Sequence, residues 1–81
     1  MKVTVIVRLK PAILDPQGKT IQHSLEQMGF SEVKDVRIGK IIELNVEGED
    51  EPTVRARAEE FSHKLLANPL MESFEIAVDG R

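Results

Sequence analysis

The sequence predicts an α+β fold of ferredoxin-like type: a four-stranded antiparallel sheet with two helices on one face. Three observations lead there. Four segments alternate apolar and polar residues with the period of a strand, two carry apolar residues at helical spacing, and their order is βαββαβ. The chain has 81 residues, which fits a single domain over 1–81 without a linker or repeat.

Val3, Val5, Val7 and Leu9 alternate with Lys2, Thr4, Ile6 and Arg8, so residues 2–9 read as a strand that Pro11 ends. Asp15-Pro16 reads as a helix start, because Asp caps free N–H groups and Pro suits the first helical position. Ile21, Leu25 and Met28 then form one apolar stripe, and Gly29 supplies a left-handed stop, giving a helix over 16–28. Residues 33–38 and 40–47 read as a second and third strand joined by a tight hairpin at Gly39. Pro52 opens a second helix, running over 52–67 with Val54, Ala58, Phe61 and Leu65 as its buried stripe. Asn68-Pro69 stops it. Phe74, Ile76 and Val78 mark a fourth strand, and Gly80 and Arg81 read as a frayed end.

A domain this small buries about 60–65% of its unfolded surface, so a further staple is expected. Cysteine is absent, which excludes disulfides and thiolate metal sites. Self-association is then the natural staple. The net charge of −3 disfavours nucleic acid and anionic membranes as partners. No apolar run approaches the roughly 20 residues of a membrane span, and Met1–Lys10 lacks the pattern of a signal peptide. A cytoplasmic location is expected. If both helices cover one face of the sheet, Ile6, Ile41, Glu43 and Ala77 lie on the other. Their partly apolar character marks a face for a second copy, in a homodimer or a dimer of dimers.

The residue inventory offers no catalytic group and no metal site. His23 and His63 read as solvated, no serine has a nucleophile-elbow context, and the glycines form no phosphate loop. The acidic run Glu47, Glu49, Asp50 and Glu51 lacks calcium-loop spacing and reads as a solvated helix start. The central strands 2–9 and 40–47 contain no aromatic residue for stacking RNA bases.

Three segments carry polar residues at turns where the fold alone does not require them. The first is Lys10 to Gly18, with Lys10, Asp15, Gln17 and Gly18. The second is Val36 to Lys40, with Arg37 and Lys40. The third is Lys64 to Glu72, with Asn68 and Glu72. An ordinary account exists for each: a capped turn, a solvated hairpin, a helix stop. In order and nearly spanning the chain, however, they resemble the small S subunit family of phosphoribosylformylglycinamidine synthase. That family has a Lys-Pro-x-aliphatic-Leu-Asp-Pro-Gln-Gly segment, a Val-Arg-x-Gly-Lys segment, and a Lys-Leu-Leu-Ala-Asn-Pro segment followed by an aliphatic pair and Glu.

The resemblance implies a non-catalytic subunit of an ATP-dependent C–N ligase of purine biosynthesis, with glutamine as nitrogen donor. It implies a bridge between a large synthetase subunit and a glutaminase subunit, aiding ammonia transfer. It places ATP and magnesium on the synthetase and no cofactor on this chain. These eight residues, seven polar ones and Gly18, become candidate partner contacts. An alternative from the topology alone is a dimeric small-molecule-sensing regulatory module. Such modules place a glycine at the first strand–helix turn, whereas Gly18 is expected inside the helix.

Overall fold

A computed structural model describes residues 1–79. The elements are β1 (Lys2–Leu9), α1 (Pro16–Gln27), β2 (Gly39–Asn45), α2 (Glu51–Phe61), a π-helical turn (Ser62–Leu66) and β3 (Glu72–Asp79). The three strands form one antiparallel sheet in the order β2-β1-β3. The α+β class therefore holds, with two helices and three strands. The frayed end expected at Gly80 and Arg81 lies outside the described residues.

Alternation in β1 sorts its side chains cleanly. Val3, Val5 and Val7 are fully buried, and they form the core with Val54, Ala58 and Ala67. Ile42 and Leu44 from β2 and Phe74, Ile76 and Val78 from β3 pack around them. Burying each such side chain contributes about 1.5–3 kcal/mol, so this cluster holds α2 on the sheet. The opposite face carries Thr4, Ile6 and Arg8, set across from Ile41, Glu43, Glu75 and Ala77.

The expected second strand over 33–38 is absent. Residues 33–38 form no ladder, and their polar groups go elsewhere. The Ile38 N–H donates to Asp15 Oδ2 at 2.6 Å, Gln22 Nε2 donates to the Lys34 carbonyl at 3.0 Å, and Arg37 donates to the Lys10 carbonyl at 3.0 Å. The segment thus runs beside the start of α1. The hairpin at Gly39 is absent as well. Gly39 opens β2 opposite Arg8, and its φ is not positive, as a two-residue hairpin turn would need. A Cβ there would meet the Val7 carbonyl at 2.7 Å, so close strand approach explains this glycine.

The placement of α1 is the second departure. Its local chemistry is as expected. Asp15 caps it through Gly18 N–H at 2.9 Å, and Pro16 is its first residue. Gly29 lies at φ 96° beyond the C-cap Met28, and the Phe30 N–H reaches back to the Leu25 carbonyl at 2.9 Å. Yet α1 contributes nothing to the core, and two of the three residues of its apolar stripe face out, Ile21 at 42% and Met28 at 69% exposure, with Leu25 half-buried. The two helices therefore do not share one face of the sheet. The chain measures 50 × 27 × 14 Å with a radius of gyration of 16.3 Å, against about 12 Å for a compact domain of this length.

The second helix also differs from the expected 52–67. Asp50 caps it, accepting from Thr53 N–H at 3.2 Å, and α geometry ends at Phe61. Ser62–Leu66 then make one wider turn, closed by the Ala67 N–H on the Ser62 carbonyl at 2.9 Å. The wider turn shifts the phase of the stripe. Leu65 swings out to 83% exposure, while Ser62 and Ala67 are buried in its place. The Ser62 hydroxyl is buried without a hydrogen-bond partner.

Two outcomes follow for stability. Two backbone N–H groups, Ile38 first and Gly18 second, hold the Asp15 carboxyl below its ordinary range, aided by Arg37 and opposed by burial. A depressed carboxyl stabilises the folded chain above its unfolded value and loses that contribution as pH falls through the folded one. Asp15→Asn should lower Tm at neutral pH, and the gap to wild type should close below about pH 4. Thermal scans across pH check this. Ser62→Ala removes an unsatisfied hydroxyl and should leave the unfolding free energy unchanged or raise it by up to about 1 kcal/mol, read by urea denaturation.

Candidate functional site

The three polar segments meet at one end of the sheet, although 10–18 and 64–72 lie far apart in sequence. Lys10 is the tie between the first and third. Its N–H donates to the Met71 carbonyl at 2.8 Å, and its Nζ donates to the Pro69 carbonyl at 3.0 Å. Arg37 joins the second segment to the first through the Lys10 carbonyl. Asp15 makes the other joint, bonding Gly18 and Ile38 at once. A Cβ on Gly18 would collide with the Val36 carbonyl, so the glycine admits this chain's own segment to the helix start.

These joints enclose a cleft of about 300 Å³. Asp15 and Gln17 line it from the first segment, Ile38, Gly39 and Lys40 from the second, and Glu72 from the third. Val7 and Leu9 complete the lining. Of the eight candidate residues, Asp15, Gln17, Lys40 and Glu72 thus face one cleft. Gln17 and Lys40 are exposed at its edge, whereas Asp15 is buried and Glu72 half-buried. Glu72 accepts from Asn68 N–H at 2.7 Å, and Asn68 Oδ1 accepts from Leu70 N–H at 2.9 Å, so this pair shapes the turn before β3. Lys10 and Arg37 are exposed beside the cleft, and Gly18 is buried behind it. Leu14 and Leu70 are large exposed apolar residues of the same segments.

The cleft holds a lysine, two carboxylates and an amide, but no nucleophile set against a base. Among the described residues no group of three His, Asp or Glu side chains could hold a metal, and no helix is long and apolar enough to cross a membrane. His23 and His63 are both exposed. The arrangement can present charge and shape to another surface.

The four residues expected on the open sheet face do share it. Ile6 pairs with Ile41 across β1 and β2, and Thr4 sits between Glu43 and Ala77. Ile41 is exposed, and surface ion pairs flank the apolar centre, with Arg8–Glu75 at 2.6 Å and Lys2–Glu43 at 3.8 Å. A second cleft, of about 260 Å³, runs from Arg37 and Lys40 to Ile6 and Ile41, so this face adjoins the polar end.

Two features escaped the sequence reading. An apolar groove of about 430 Å³ lies beside β2, lined by Leu44, Phe61, Leu65 and Leu66 together with Glu60 and Lys64. The wider turn that turns Leu65 into this groove has no signature in the sequence. Arg55 bonds the Ile76 carbonyl of β3 at 3.0 Å, and only the tertiary structure shows that contact.

Comparison with known proteins agrees with this geometry. The family described as PurS, phosphoribosylformylglycinamidine (FGAM) synthase, matches residues 2–80. The phosphoribosylformylglycinamidine synthase subunit PurS of Methanocaldococcus jannaschii is 46% identical over 78 residues, covering 96% of this chain and 94% of that one. The Bacillus subtilis subunit is 45% identical, covering 96% and 92%. A crystal structure of B. subtilis PurS superposes with a TM-score of 0.86 at 44% identity, covering 96% of each chain. A chain in the structure of PurLQS from Thermotoga maritima superposes at 0.85 with 32% identity, covering 94% and 93%. The chain described here therefore belongs to the PurS family of phosphoribosylformylglycinamidine synthase.

Proposed function

We propose that this chain is the small, non-catalytic subunit of phosphoribosylformylglycinamidine synthase, joining the synthetase subunit to the glutaminase subunit in the cytoplasm. The complex converts formylglycinamide ribonucleotide, glutamine and ATP to formylglycinamidine ribonucleotide. ATP and magnesium belong to the synthetase, and this chain binds no cofactor. The observation that carries the reading is the convergence of three family segments on one end of the fold. Ammonia passing between two active sites is lost unless they are held in register, and a rigid adaptor contributes that alignment without reacting. Membership of the PurS family, together with a buried Gly18 closed off by Val36, favours this reading over a small-molecule sensor.

The polar end is the partner surface in this proposal. Lys40 and Gln17 reach outward from the cleft, while Lys10, Arg37, Asp15, Gly18, Asn68 and Glu72 hold its shape and flank it. Lys40→Ser with Gln17→Ala should weaken assembly with the synthetase and glutaminase. Glutamine-dependent turnover should then fall, while turnover with added ammonia stays. Retained co-purification and unchanged glutamine-dependent turnover would remove this end from the interface.

The chain works as a homodimer. An isolated helix shorter than about 12–15 residues is marginal in water, yet α1, with 12 residues, leaves its own stripe uncovered. The groove at Leu44, Phe61 and Leu65 is the matching apolar surface on a second copy, and two-fold symmetry covers both at once. The open face around Ile6, Ile41, Glu43 and Ala77 pairs such dimers into a dimer of dimers. Light scattering on Ile21→Asp should give monomers of reduced stability. Ile41→Asp should leave a folded dimer. A wild-type chain that stays monomeric at high concentration would end the dimer reading.

A further inference from the structure

The sheet has two edges, and the ladder pattern identifies which of their groups point outward. Met1 and Val46 exchange backbone bonds at 2.8 and 2.9 Å, so odd-numbered positions of β1 bond toward β2. The Lys10 N–H bonds the Met71 carbonyl, so even-numbered positions bond toward β3. In the observed register, the outward groups are therefore those of Gly39, Ile41, Glu43 and Asn45 on β2, and of Glu72, Phe74, Ile76 and Val78 on β3.

The two edges differ. The outward carbonyl of Ile76 on β3 accepts from Arg55 Nη1 of α2 at 3.0 Å. The same guanidinium is held by Glu51 one helical turn earlier, with Nη2 at 3.2 Å from Oε1. Arg55 thus lies over the β3 edge where an added strand would have to bond. The strand also carries Glu72, Glu75 and Asp79, which meet like charges if two β3 edges approach. Among the described residues no side chain donates to the β2 carbonyls of Ile41, Glu43 and Asn45, and the apolar groove lies alongside.

We propose that Arg55 closes the β3 edge, so that strand pairing between copies of this chain is confined to β2 and assembly stops at a closed oligomer. This rests on the dimer reading above, in which the partner's α1 lies in the groove alongside β2, while the closure of β3 does not depend on that reading. Exposed edges template open-ended association, and a sheet with two open edges can add copies head to tail without limit. One closed edge removes that route.

Arg55→Met keeps most of the stem and removes the guanidinium; light scattering and amide exchange read the result. The variant's mass should exceed that of the wild type and climb with concentration, and the Phe74, Ile76 and Val78 amides should gain protection. Arg55→Lys, which can still donate, should keep the wild-type mass. A folded Arg55→Met chain with wild-type mass at every concentration overturns the proposal. So does growth without new protection on β3. The comparison is between variant and wild type, so a monomeric wild type would end the dimer reading while leaving this test intact. Should Arg55→Met fail to fold, Arg55→Leu, which also lacks a donor, takes its place with the same readouts.

Discussion

Much of this structure depends on one carboxylate that accepts from two backbone N–H groups. Asp15 fixes the first turn of α1 through Gly18, and its second oxygen takes the Ile38 N–H that would otherwise bond into a sheet. With that donor committed, and with Arg37 and Lys34 tied to the loop and helix beside them, residues 33–38 follow the helix start. The chain can then run directly into β2 without reversing. The first helix is carried away from the sheet, and β1, α2 and their neighbours build the core alone. The elongated shape and the uncovered stripe on α1 both follow from this path.

Where local chemistry decides the outcome, the sequence was a sufficient guide. Asp15-Pro16, Gly29 and the valines of β1 each act on their own neighbourhood, and the structure places them as their chemistry requires. The segment 33–38 was misread because alternation only reports an extended stretch with one side half-buried. A strand in a sheet meets that condition, and so does an extended stretch lying along a helix. Nothing in residues 16–28 encodes which sheet, its own or another, the apolar stripe must meet. The helix ending at Leu66 was misread for a related reason: helical periodicity assumes a constant turn, and the widened turn breaks it.

The site was legible as residue types but not as an assembly. Polar identities at turns singled out three segments, and only the topology brings them to one end. It also separates their roles. Lys10 and Asp15 spend their hydrogen bonds inside the chain and position the others, whereas Lys40 and Gln17 face outward. Gly18 was read as a candidate partner contact, and the structure fills the space beside it with Val36 from within. Arg55 carried no signal, since an arginine on a helix surface looks the same whether or not it reaches a strand edge.

The widened turn at Ser62–Leu66 has a consequence for how this chain tolerates change in length. It acts as one residue of slack: an ordinary α turn there would send Leu65 toward the sheet and pull the downstream loop out of step with β3. Substitutions in the turn alter what a position holds, whereas a single deletion would let an ordinary α turn form there and remove the bulge that sends Leu65 outward. The apolar surface beside β2 therefore exists because of a spacing, and swapping residue types one at a time would not create it.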